Sequence, residues 1–103
     1  DDGLIEIKCM EPKGHVAVLR TKKISDSHIK QMQFQMACCP GRMWCDYVAY
    51  NPDYDPPYRC WISRVYRDDY NISVLENATR DFLQEVDLAL ADLRAKHERE
   101  RAA

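Results

Sequence analysis

An acid and a base standing two residues apart in an apolar run constrain this chain more than anything else in it. Leu4-Ile5-Glu6-Ile7-Lys8-Cys9 has the pattern of a strand, in which side chains alternate across the pleat. Glu6 and Lys8 therefore share one face, and Ile5 and Ile7 are expected to pack into a core on the other. A carboxylate and an ammonium on one pleat suit a magnesium site for phosphodiester hydrolysis. The carboxylate would ligate the hard cation, and the lysine would hold the attacking water or the phosphate. The same short pattern also describes a plain ion pair on an edge strand.

Size and charge narrow what such a strand can belong to. With 103 residues the chain makes one domain, residues 1–103, around a single modest core. A net charge of −2 gives no overall attraction to nucleic acid, so any contact with DNA has to come from a local basic patch or a metal. Five cysteines, Cys9, Cys38, Cys39, Cys45 and Cys60, form no C-x-x-C pair. They read as reduced, small apolar fillers of a cytoplasmic protein rather than as a zinc or iron–sulfur cluster. No signal peptide or long apolar run points to export or a membrane. The chain begins at Asp1, just before the first strand signal, and reads as a fragment of a longer one.

Further along, Asp1-Asp2-Gly3 is turn chemistry, and Glu11-Pro12-Lys13-Gly14 ends the first strand. Residues 15–24 are expected to form an irregular or partly helical connection carrying Arg20, Lys22 and Lys23, either a solvated loop or a grip on a phosphate backbone. Ser25 or Asp26 can cap a helix running to about Cys39, where Pro40-Gly41 stops it. Ile29, Met32, Met36 and Cys39 form its apolar stripe, while His28, Gln31 and Gln35 recur on a neighbouring face. Arg42–Asn51 alternates as a central strand, and Tyr58–Arg67 follows a proline-rich loop as its hairpin partner. From Asp69 one long helix is expected, started by Asp68, Asp69 or a Ser73-x-x-Glu76 capping box. Its stripe of Ile72, Leu75, Phe82, Val86, Leu90 and Leu93 should pack on the sheet, and residues from about 95 to 103 form a solvated helical tail.

The blocks Leu4–Cys9, Gln31-Met32-Gln33-Phe34-Gln35-Met36, Trp44–Pro52 and Arg64–Asp68, followed by the terminal helix, resemble the YqaJ-type phage recombination exonucleases. These are relatives of the phage lambda exonuclease in the PD-(D/E)XK nuclease superfamily. The resemblance runs from Asp1 to about Leu93 and concerns the C-terminal part of that fold. It implies an α/β, restriction-endonuclease-like core: a three-stranded mixed sheet flanked by a helix and a long C-terminal helix, lacking the first strand or strands.

The activity it implies is Mg2+-dependent (or Mn2+-dependent) 5′-to-3′ degradation of one strand of double-stranded DNA. The product would serve a single-strand annealing recombinase in a phage- or prophage-carrying bacterial cytoplasm, and relatives form trimeric homo-oligomers. Glu6 matches the metal-binding acid, the Ile7 backbone carbonyl a further metal ligand, Lys8 the catalytic lysine and Gln31 the glutamine of the following helix. His28 stands where relatives often carry tyrosine, and Met10 where they usually carry proline. The family's essential aspartate lies on a strand before Asp1, so the chain is expected to hold half an active site. The alternative is a non-catalytic nuclease-like module that binds DNA or a host protein.

Overall fold

The alternation in the three predicted strands is realised as one sheet. The computed structural model describes residues 2–103 and runs β1 (Gly3–Lys8), α1 (Pro12–Thr21), α2 (Asp26–Cys38), β2 (Trp44–Tyr50), a 3-10 turn (Pro56–Tyr58), β3 (Cys60–Tyr66) and α3 (Asp69–Ala102). The strand order is β1-β2-β3. β1 runs parallel to β2, with Glu6 beside Tyr47 and Lys8 beside Ala49, and β3 pairs antiparallel with β2. This is the mixed α/β sheet expected from the sequence, with the Trp44 strand at its centre.

The core lies on the face that the helices cover. Cys45, Tyr47 and Ala49 project from β2 onto Met32 and Met36 of α2 and Val18 of α1, all buried. Ser25 caps α2 by accepting a hydrogen bond from the His28 N–H, and Gly41, at φ +92°, turns the chain after the helix. Arg67 closes the same end by donating to the Met36 and Arg42 carbonyls at 2.6 and 3.3 Å. The Cys39 predicted for the stripe is exposed, and Gln33 is buried instead. Its amide donates to the Tyr66 carbonyl and accepts from the Asp68 N–H, both at 2.9 Å, pinning α2 to the end of β3.

Several expectations are corrected. The stretch 15–24, expected to be irregular or partly helical, is helical as far as Thr21, within the ten-residue helix α1. Gly14 and the β-branched Val16 and Val18 lower its propensity. Pro12 suits the first turn, and burial of His15 and Val18 holds the helix in place. Asp1 lies outside the described residues. Gly3 belongs to β1 rather than to a turn, where the Trp44 indole lies so close that any Cβ would overlap it. Of the five cysteines, only Cys45 is a buried filler. Ile5 and Ile7 do not enter the core: they stand 66% and 60% exposed on the opposite face, Ile7 in a row with Val48 and Ile62. On that face Asp46 and Arg64 form a two-pronged ion pair at 2.8 and 3.1 Å, with the guanidinium 3.6 Å from the Trp44 ring.

The chain divides into two compact units, Asp1–Ile72 and Ser73–Ala103. Asp68 caps α3 by accepting from the Asn71 N–H, so the helix starts a turn before the Ser73 box. Ile72 is buried, whereas Phe82, Leu90 and Leu93 of the predicted packing stripe are exposed. Among the described residues no helix is long and apolar enough to cross a membrane.

Candidate active site

Because Leu4, Glu6 and Lys8 share the pleat of β1 that faces the helices, Glu6 and Lys8 meet α2 rather than open solvent. Their side chains are 17% and 21% exposed. This reverses the expected sides of the strand, and α2 supplies the reason. The helix places its polar His28-Gln31-Gln35 face over β1, so the carboxylate and ammonium are covered by groups that can satisfy them. Ile5 and Ile7 are left on the uncovered face.

The contacts close into a ring. Lys8 Nζ donates to Gln31 Oε1 at 2.8 Å, Gln31 Nε2 donates to Glu6 Oε1 at 3.2 Å, and Lys8 Nζ lies 3.2 Å from the same carboxylate oxygen. The second carboxylate oxygen, Oε2, accepts from Gln35 Nε2 at 2.9 Å. The Gln35 hydrogen bond is the strongest influence on Glu6 and, with Lys8, holds it below the usual carboxylate range against an opposing cost of burial. Glu6 is thus kept as an anion, and Lys8 is fixed beside it. Ile7, whose backbone carbonyl the resemblance assigns to a metal, stands between the two in the strand.

A second layer lies behind the ring. His28 Nδ1 is 3.0 Å from the hydroxyl of buried Tyr47, and burial, reinforced by Lys8, favours its neutral form while Glu6 opposes this. Burial also pushes the Tyr47 phenol up, so its hydroxyl is retained. An open cleft of about 310 Å³ passes Glu6 between Leu4, Phe34, Gln35 and Cys38, giving the carboxylate a route to a ligand.

The structure therefore brings together Glu6, Lys8 and Gln31, the three side chains singled out in the sequence. Gln35, to which sequence reading gave no role of its own, completes the carboxylate's partners. The signal was present in the spacing of His28, Gln31 and Gln35, which puts all three over one face. A divalent cation does not fit the described residues of this chain by themselves. Hard cations take several oxygen ligands, yet Glu6 is the one carboxylate in the ring. Among the described residues no group of three His, Cys, Asp or Glu side chains could hold a metal.

No family model matches the chain, and no curated protein matches it. Solved structures do. An alkaline exonuclease from Laribacter hongkongensis is 36% identical and superposes with a TM-score of 0.90, the match covering 96% of this chain and 51% of that one. The same exonuclease in complex with dAMP gives 38% identity and a TM-score of 0.92, over 96% of this chain and 50% of that one. The resemblance to an exonuclease read from the sequence is thus borne out in three dimensions. The chain spans about half the length of the enzyme it matches.

Proposed function

We propose that the Glu6–Lys8–Gln31 ring belongs to the active site of a metal-dependent exonuclease acting on double-stranded DNA. One observation carries the reading. The ring stands in a chain that matches, over 96% of its length and at 36–38% identity, an alkaline exonuclease also known in complex with dAMP.

Hydrolysis of a phosphodiester needs an oriented water, donors for charge developing on the phosphoryl oxygens, and a proton for the leaving oxygen. Lys8 is the donor, aimed by Gln31, which accepts from the ammonium while donating to Glu6. Glu6, kept anionic by Gln35 and Lys8, orients the water, whose proton passes to solvent while the leaving oxygen takes one from solvent. A bound Mg2+ or Mn2+ would supply Lewis-acid activation, but its remaining oxygen ligands have to come from outside the described residues. The resemblance extends the proposal to 5′-to-3′ digestion, to a single-strand annealing recombinase as partner, to a homo-oligomer, and to a phage or prophage setting.

The single carboxylate favours one competing reading, a nuclease-like module that binds without cutting. To separate the two, this chain is exchanged for the matching half of the Laribacter hongkongensis enzyme, and digestion of linear duplex ends is followed with magnesium. The nuclease reading expects the chimera to digest ends, Glu6→Gln to abolish digestion, and the 103-residue chain alone to be inactive. A folded chimera that binds duplex without cutting it, or that cuts equally well with Glu6→Gln, contradicts the reading.

A further inference from the structure

The proposed chemistry uses one face of α2 and leaves the most basic stretch of the chain without a task. Between Pro12 and Ser25 there are four cations, Lys13, Arg20, Lys22 and Lys23, and no Asp or Glu, in a chain of net charge −2. α1 carries this stretch along a groove formed with the 51–59 loop. Two adjoining depressions of about 450 and 480 Å³ share Val16, Arg20 and Tyr54. Lys22 and Tyr58 line the first and Lys13 the second.

The groove is built rather than incidental. His15, fully buried, stacks on Tyr54 at 5.4 Å and 17°, and its Nε2 donates to the Tyr58 carbonyl at 2.7 Å. Its Nδ1 is buried without a hydrogen-bond partner. A histidine kept in the core with one ring nitrogen unsatisfied costs stability, and its visible effect is to clamp the aromatic loop to α1. Arg59 Nε adds a hydrogen bond to the Tyr54 carbonyl at 2.6 Å, and buried Asn51 ties the start of the loop to the Met10 carbonyl at 3.4 Å. Meanwhile the Tyr58 side chain is 56% exposed. Lys13 and Arg20 have no ion-pair partner among the described residues, and Lys22 lies over the Trp61 ring at 5.7 Å.

We propose that this groove binds single-stranded nucleic acid, with bases on Tyr58 and Tyr54 and phosphates on Lys13, Arg20 and Lys22. Rigid aromatics interleaved with cations, and no acid on the lining, give stacking and charge complementarity to a strand of any sequence. Glu11, Asp53 and Asp55 lie nearby in sequence, but none lines the groove. The location fits the chemistry. α1 begins four residues after Lys8, so the groove opens just past the end of the strand that carries the ring. The inference rests on the nuclease reading for its purpose, that of receiving a strand separated at the site, but not for its geometry.

The test is fluorescence anisotropy of the 103-residue chain with a labelled oligothymidylate of about a dozen nucleotides, the span of a single such site, in EDTA. Tyr58→Ala should weaken binding about tenfold and Tyr58→Phe should restore it, since the loop is clamped through the Tyr58 backbone. The combined Lys13→Ala, Arg20→Ala and Lys22→Ala variant should lower the slope of log affinity against log salt by about 2. Unchanged affinity in Tyr58→Ala, or equal displacement by polyglutamate, overturns the proposal and leaves an unspecific cationic surface. Intact strand binding in a protein whose Glu6→Gln chimera still cuts would instead remove the nuclease reading and leave the groove standing.

Discussion

Replacing Gln33 with alanine should loosen the helix that covers the site. The side chain is 2% exposed, and its amide holds the Tyr66 carbonyl and the Asp68 N–H, each at 2.9 Å. Each hydrogen bond contributes about 1 kcal/mol net, and a part-buried backbone group left unpaired costs about 1–3 kcal/mol where water cannot replace the amide. We therefore expect a loss of about 2–4 kcal/mol, a large share of the roughly 5–15 kcal/mol that holds a domain of this size together. In urea, with a slope of about 1–2 kcal/mol per molar, the midpoint should fall by roughly 1–4 M at unchanged slope. Gln35→Ala, which removes a neighbour on the site-facing side, should shift the midpoint by less than about a quarter of that, because its contact lies in a partly wet cleft. A midpoint for Gln33→Ala within error of the parent would show that water replaces both bonds, and that the amide does not pin α2.

Glu6 sits below the ordinary carboxylate range when folded, so in acid it binds fewer protons folded than unfolded, and its contribution to stability is lost as pH falls through its folded pKa. Removing its leading cause with Gln35→Leu should raise that pKa toward the ordinary value, as read by carbon NMR titration of the carboxyl; no upward movement refutes the assignment. β1 is an edge strand beside an exposed Ile5 and Ile7, which invites pairing with another chain, so light scattering should show self-association rising with concentration and reduced by Ile7→Lys. A strictly monomeric parent contradicts this. Thiol labelling should mark Cys9, Cys38, Cys39 and Cys60 quickly and Cys45 only on unfolding, because burial both hides Cys45 and pushes its thiol up. Fast labelling of all five would refute that ordering.

Strands, their order and their pairing were legible because alternation is a local pattern: Trp44–Tyr50 and Cys60–Tyr66 show it residue by residue, and the proline-rich loop between them favours a hairpin. α1 was legible only as a connection that could be partly helical, since Gly14, Val16 and Val18 argue against a helix locally and only burial of His15 and Val18 decides for it. The sides of β1 were misread for a related reason. Apolar residues usually mark the covered face, but here α2 brings its own polar face, and the choice between the two depends on a helix more than twenty residues away. Glu6, Lys8 and Gln31 were found as residue types in order. Their closure into a ring, and the parts played by Gln35 and by His28 with Tyr47, depend on the crossing of α2 over β1, which no local pattern encodes.

The most direct measurement is single-turnover digestion of an end-labelled linear duplex by the chimera with the Laribacter hongkongensis enzyme, with Lys8→Met compared against its parent and duplex affinity measured in parallel. Removing a donor that acts on developing charge should slow cleavage by at least about a hundredfold. Affinity should stay within about threefold, because phosphate contacts made elsewhere hold the backbone. Cleavage that survives Lys8→Met at the parent's rate would contradict the account and reduce Glu6 and Lys8 to an ion pair beneath a helix.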